Sequence, residues 1–262
     1  MRRLLTALVL VLAAAGLLAT PAASAASRSH GPKPTVVLVH GAFADASGWN
    51  DVIKRLHRKG YPVLAPANPL RGVASDSAYI ASVLATVSGP IVLVGHSYGG
   101  IVITNAATGN PSVKALVYVA AFAPDDGEPL VALQTKFPGS RLGEEALDIR
   151  PTGPSTFDGY IKTSVFREIF AADLPASTTA LMAATQRPGD LATLQQPSGA
   201  PAWKAIPSWY LVAKQDRVIP AAAQRFMAQR AGARTREVNA SHVAMMSRPD
   251  AAADLIVSAA MS

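Results

Sequence analysis

A chain of 262 residues, half of them apolar and only 16% charged, has material for a large core and does not belong to the disordered class. Its formal charge of +7 is scattered, and the absence of cysteine excludes disulfides and lipid attachment through a cysteine. The densest basic group, Lys54, Arg55, Arg58 and Lys59, sits on a short amphipathic segment and reads as a solvated helix face, so nucleic acid is not an expected partner.

Residues 1–25 differ from the rest. Arg2 and Arg3 form a basic start, residues 4–18 run almost wholly apolar, Pro21 breaks the run, and Ala23-Ser24-Ala25 supplies small residues for a signal peptidase. The apolar run of 15 residues is shorter than the roughly 20 that span a bilayer. This pattern predicts a secretory signal cleaved after Ala25, hence a secreted protein without stable membrane insertion. Without Arg2 and Arg3 the remaining chain holds 22 basic and 17 acidic residues, a net charge of about +5. Residues 26–34, polar and with two prolines, read as a flexible lead-in.

Strand and helix patterns then alternate. Residues 36–39 form a short β-branched run that fits a strand buried on both faces. Residues 49–59 show helical spacing, with Trp49, Val52, Ile53 and Leu56 on one face and Gly60 as a stop. A strand at 61–64, a helix at 79–87, a buried strand at 91–94, a helix at 99–108 and a strand at 113–120 follow. After a long interval come a strand at 209–213, a helix at 221–230, a strand at 235–238 and a closing helix at 250–260. Such alternation predicts a mostly parallel sheet with helices on both faces. Between about 124 and 207 no strand pattern is clear. Helical pieces at 160–172 and 176–184, punctuated by Pro and Gly, predict a helical cap inserted into a domain spanning 35–262.

Gly95-His96-Ser97-Tyr98-Gly99 matches G-x-S-x-G, directly after a buried strand and directly before a helix. In that context the serine occupies a sharp, strained turn, and side chains at Gly95 and Gly99 would clash across it. The turn lifts the Ser97 hydroxyl above the sheet edge and aims the following helix N-terminus at a developing oxyanion. Two N–H donors are needed for that oxyanion. One is expected from Tyr98. The other is expected from the loop His40-Gly41-Ala42-Phe43, with Ala42 the first choice and Phe43 the next.

Of five histidines, His30 lies in the lead-in, His57 on a charged helix, and His40 and His96 beside motif glycines. His242, in a short loop after the strand at 235–238, stands where the base belongs. Asp216, just past the strand at 209–213, is the expected acid. Asp125 and Asp126, after the strand ending at Ala120, are rivals. The implied chemistry is attack by Ser97 on an acyl carbonyl, with His242 as base and Asp216 fixing its tautomer. It requires no metal or organic cofactor, and no metal-ligand spacing is present.

From about Thr35 onward the chain resembles the α/β-hydrolase superfamily. Within it, the chain resembles the branch of plant methyl-ester esterases, hydroxynitrile lyases and related bacterial esterases. The resemblance rests on His40-Gly41-Ala42 with Trp49, Gly95 to Gly100, Tyr118-Val119-Ala120-Ala121-Phe122-Ala123-Pro124, Asp216-Arg217-Val218-Ile219 and Ser241-His242-Val243-Ala244-Met245. Lyases of that branch carry a Lys shortly after the base and a Thr just after the first His of the oxyanion loop. Here stand Val243, Ala244 and Met245, and Gly41, which favours the esterase side. The expected substrate is a small-molecule ester of small to medium size, with Phe43 and Tyr98 as apolar neighbours of the site. Amidase, lactonase, perhydrolase or haloperoxidase, and lyase activities are alternatives on the same fold, and a non-catalytic small-molecule binding protein is a further one.

Overall fold

The computed structural model describes residues 32–262, so the expected signal at 1–25 and most of the lead-in lie outside the described residues. The first half alternates as β1 (Thr35–Val39), α1 (Asn50–Arg58), β2 (Val63–Leu64), α2 (Val73–Ala85), β3 (Ile91–Ser97), α3 (Gly99–Ala106) and β4 (Val113–Ala121). An insertion follows, with α4 (Leu130–Thr135), β5 (Leu147–Pro151), β6 (Phe157–Ile161), α5 (Thr163–Phe170), α6 (Ala176–Thr185) and β7 (Gly189–Asp190). The chain returns to the sheet with β8 (Ser208–Ala213), α7 (Ala221–Arg230), β9 (Arg234–Val238), α8 (Ala244–Ser247) and α9 (Pro249–Ala260).

Six strands form a wholly parallel sheet in the order β2-β1-β3-β4-β8-β9. β3 and β8 are buried along their whole length, as their unbroken apolar runs require. β9, at the edge, carries the charged sequence RTREV and is largely exposed, a composition that discourages further strand pairing. From β1 the chain first moves outward to β2 and then crosses back to β3, after which every step goes the other way. Right-handed crossovers on opposite sides of β1 put their helices on opposite faces. Accordingly α1 packs with α9, and α2 packs with α3. The reversal leaves a crevice beyond the carboxyl ends of β1 and β3, the place where ligands bind in open α/β sheets.

The insertion differs from its sequence reading. Besides three helices it contains a small antiparallel sheet, β5-β6-β7. The helix expected at 160–172 is shortened to α5 because β6 runs to Ile161, where Gln186 bonds both the N–H and the carbonyl of that residue. α2 begins at Val73 rather than 79. Its first turn is rich in Ser and Asp, but Gln196 from the insertion accepts the Val73 N–H at 2.6 Å and caps it. β2 is reduced to two residues at the edge of the sheet. Among the described residues, no helix is long and apolar enough to cross a membrane.

Candidate active site

Ser97 ends β3 in the left-handed region, with φ of +52°, an uncommon conformation for a non-glycine residue. Close approaches around it forbid side chains. A Cβ on Gly95 would stand 2.6 Å from the Gly99 carbonyl oxygen, and one on Gly99 would stand 2.5 Å from that of Val39. Beneath the turn β4 bulges. His96 pairs with Val119 and Ser97 with Ala121, so Ala120, with φ of +44°, is left over. The Phe122 N–H donates to the Ser97 carbonyl at 3.1 Å, and the Tyr210 hydroxyl donates to the Ala121 carbonyl. The strained turn therefore rests on a bulge that is itself pinned.

The loop after β1 reaches the serine. A Cβ on Gly41 would lie 2.6 Å from Ser97 Cβ and 3.2 Å from its Oγ, so only glycine lets the loop come this close. Buried His40 holds the loop. Its Nε2 accepts from the Asn68 N–H at 2.9 Å, so Nδ1 carries the proton and donates to the Gly41 carbonyl, also at 2.9 Å. Burial lowers the His40 pKa and keeps the ring neutral in that tautomer. The Phe43 N–H, the second choice for an oxyanion donor, is engaged by the Arg187 carbonyl at 2.9 Å. Among the described residues, no hydrogen bond outside regular elements uses the N–H of Ala42 or of Tyr98.

Asp216 and His242 meet at 2.7 Å, between Oδ2 and Nδ1, with both side chains wholly buried. The carboxylate is saturated with donors. Its Oδ1 accepts from the N–H groups of Val218 and Ile219 at 2.7 and 3.0 Å, and its Oδ2 accepts from Gln224 Nε2 at 2.8 Å. Gln224, on α7, carries no mark in the sequence AAAQRFMAQR that sets it apart from Gln229; only the fold shows it buried against Asp216. Asp125 faces away, paired with Lys204 on the surface.

The other nitrogen of the ring, His242 Nε2, is buried and has no hydrogen-bond partner among the described residues. His96, next to the serine, donates from Nε2 to the His242 carbonyl at 3.0 Å, and the two rings lie 4.7 Å apart. Burial, then the proximity of His242, drives the His96 pKa well below its ordinary value, so this ring is a neutral strut. On the other side Phe170 of α5 covers the His242 ring at 5.1 Å. Asp173, just beyond, accepts from the N–H of Ser241 at 3.0 Å and from its hydroxyl. Burial by itself would raise the Asp173 pKa, but its hydrogen bonds taken together, those from Ser241 foremost, outweigh it and leave it lowered.

Tyr98 has a second anchor. Its hydroxyl donates to buried Asp76 at 2.7 Å, and Asp76 also accepts the Arg71 N–H at 3.1 Å. Burial, and then the Asp76 charge, push the Tyr98 phenol far above its ordinary range, so it remains a donor. The Arg71 guanidinium reaches Asp158 of β6 at 2.6 Å and the Pro188 carbonyl at 3.0 Å. The residue that follows the serine is thus tied through two others to the inserted sheet.

A cavity of ≈ 580 Å³, open mouth included, lies over Ser97. Ala42, Phe43 and Tyr98 line one side, and Phe122, Leu142 and Leu194 contribute to an otherwise apolar wall. The polar side chains are few, among them Gln134, Asp190 and Thr193.

The sequence profile described as the alpha/beta hydrolase family matches residues 36–255, and the chain belongs to that family. Among its relatives is a carbendazim hydrolyzing esterase of Nocardioides sp. (strain SG-4G), 35% identical over 113 residues. That match covers 38% of this chain and about half, 47%, of the relative's length. Methylesterase 9 of Arabidopsis thaliana is 26% identical over 245 residues, covering 84% of this chain and 96% of the relative. Among solved structures, polyneuridine aldehyde esterase superposes with a TM-score of 0.75 at 19% identity, covering 86% of this chain and 98% of that one, a likeness of fold. Relatives named for esterase and hydrolase activity support a hydrolase.

Proposed function

We propose that this protein is a serine esterase, working through an acyl-enzyme at Ser97 on small to medium apolar esters, and that residues 1–25 direct its secretion. The observation that carries the catalytic reading is that three elements lie near one another at the carboxyl edge of the sheet, with His96, beside the serine, bonded to the His242 carbonyl at 3.0 Å. These are a serine with φ of +52°, a glycine loop against its Cβ, and a buried histidine paired with a carboxylate at 2.7 Å.

The ester carbonyl carbon is attacked by Ser97 Oγ while His242 Nε2 takes the hydroxyl proton. The carbonyl oxygen, now anionic, accepts from the N–H groups of Ala42 and Tyr98. Asp216 holds the proton-bearing Nδ1 of the imidazolium. Collapse of the tetrahedral intermediate breaks the bond to the alcohol oxygen, which leaves with the proton from Nε2. Water, deprotonated by the same nitrogen, then cleaves the acyl–serine bond and releases the acid.

The test is hydrolysis of p-nitrophenyl acetate, butyrate and octanoate by the wild type and by Ser97→Ala. The expected result is turnover by the wild type and a fall of about 10⁴-fold or more in the variant. Two well-folded proteins that leave all three esters intact would overturn the esterase reading.

A further inference from the structure

Phe43 divides the molecule's ligand space. On one side is the cavity over Ser97. On the other is a crevice of ≈ 350 Å³ between the core and α6, lined by the apolar Phe43, Ala44, Met182, Val243, Met245 and Met246 and by the polar Asp45, Ser47, Thr185 and Gln186. Phe43 is the wall common to both. It has φ of +60°, a strained conformation for a bulky residue. Its N–H is fixed to the Arg187 carbonyl, and its ring meets Phe170 edge-on at 6.3 Å. Both contacts come from the insertion.

We propose that the crevice seats the alcohol portion of the ester, that this portion is apolar and often aromatic, and that Phe43 separates it from the acyl portion over Ser97. This rests on the esterase reading.

The reasoning is geometric. Once the carbonyl carbon stands at Ser97 with its oxygen toward Ala42 and Tyr98, the leaving oxygen must face His242 Nε2, the group that protonates it. That nitrogen is buried and has no hydrogen-bond partner among the described residues, and His242 lines neither cavity. The residues just after His242, Val243 and Met245, line the crevice and not the first cavity. A leaving group directed at His242 therefore emerges on the crevice side of Phe43. The chemistry of the lining indicates its occupant. Three of the chain's six methionines, Met182, Met245 and Met246, stand here. Methionine adapts to irregular apolar shapes and makes favourable contacts with aromatic ring edges. The polar residues that also line the crevice are already engaged: Asp45 accepts from the Ser47 N–H and hydroxyl, the Thr185 hydroxyl donates to the Leu181 carbonyl, and Gln186 is bonded to Ile161. Among the described residues, no Lys or Arg lines it to favour an anionic alcohol portion.

Two ester series separate the chambers. One holds acetate constant and varies the alcohol through methyl, butyl, benzyl and naphthylmethyl. The other holds methanol constant and varies the acid through acetate, butyrate and octanoate. Purified full-length wild type, Met182→Trp and Leu194→Trp are compared only as ratios of kcat/KM within one preparation, so partial loss of folded protein cancels. Met182→Trp, on α6, is expected to lower the naphthylmethyl-to-methyl ratio at least tenfold and to move the octanoate-to-acetate ratio much less. Leu194→Trp, in the first cavity, is expected to do the reverse. Phe43→Ala, which widens the way between the two chambers, is expected to raise the naphthylmethyl-to-methyl ratio about fivefold or more.

If the wild type hydrolyses both series but Met182→Trp moves the two ratios equally, or moves neither, the assignment of the crevice is overturned while the esterase reading stands. If the wild type hydrolyses no ester, both are overturned.

Discussion

Replacing Gly41 with alanine puts a methyl group 2.6 Å from Ser97 Cβ and 2.9 Å from the His96 carbonyl oxygen. Non-bonded carbons rest at about 3.5–4.0 Å, so one partner must retreat by about 1 Å. Ser97 is the less able to do so. Its strained turn is locked by glycine contacts on both flanks and by the Phe122 N–H on its carbonyl. The loop must therefore move, against the His40–Asn68 bonds that hold it. A shift of about 1 Å in the Ala42 N–H stretches a normal bond of about 2.9 Å to about 3.9 Å, beyond hydrogen-bond range. Loss of one oxyanion donor costs about 10²–10³ in kcat. The overpacking itself costs about 1–3 kcal/mol of stability, a melting point roughly 2–12 °C lower for a domain of this size. Steady-state kinetics with p-nitrophenyl butyrate, well below both melting temperatures, measure the effect. A folded Gly41→Ala protein with kcat within threefold of wild type would refute the argument, because the loop would then have no part in holding the oxyanion.

Other outcomes follow from the same geometry. Asp216→Asn leaves His242 without an anionic partner on Nδ1 and is expected to reduce kcat by about 10⁴ in the same assay; a loss under tenfold would remove Asp216 from the mechanism. Tyr98→Phe takes a donor from the buried Asp76 carboxylate, at a cost of about 2 kcal/mol or a melting point about 4–8 °C lower. A melting point within 1 °C of wild type by calorimetry would contradict this. The lowered pKa of Asp173 means that its contribution is present above the unfolded value of about 3.9 and is lost as pH falls through the lower folded value. Asp173→Ala is therefore expected to destabilise by roughly 1 kcal/mol at pH 7, after allowance for the group's partial exposure, and the gap to wild type should narrow below about pH 4. Urea denaturation at both pH values checks this, and a gap that widens on acidification would reverse the sign assigned.

The parts of the fold legible in sequence are those where local pattern and tertiary environment agree. β3, β4 and β8 are buried on both faces, so their apolar runs stand out whatever surrounds them. The motif Gly95 to Gly99 was readable because a close backbone approach demands glycine at fixed spacing. The inserted sheet was not readable. β5 is almost entirely exposed, β7 has two residues, and β6 is held by Gln186 from beyond α5, so none shows a clean alternation. The start of α2 depends on Gln196, more than a hundred residues away. At the proposed site, the positions of Ser97, Asp216 and His242 were legible because each stands at or just past the carboxyl end of a strand. Asn68, Asp76, Asp173 and Gln224 were not, because each acts through a partner that only the folded chain brings near.

The loop that carries Ala42 is bound to the insertion as well as to the sheet. The Phe43 N–H joins the Arg187 carbonyl, and Gly189 of β7 lies so close to Ala42 that an added Cβ would come within 3.3 Å of its methyl. Turnover and substrate range are consequently not independent variables in this molecule. An exchange of residues 124–207 for those of a relative would transplant part of the support of the proposed oxyanion loop along with the binding walls. Selectivity engineered there would arrive with a change in rate, and restoring the rate would require matching residues 185–190 to the recipient's loop at 40–43.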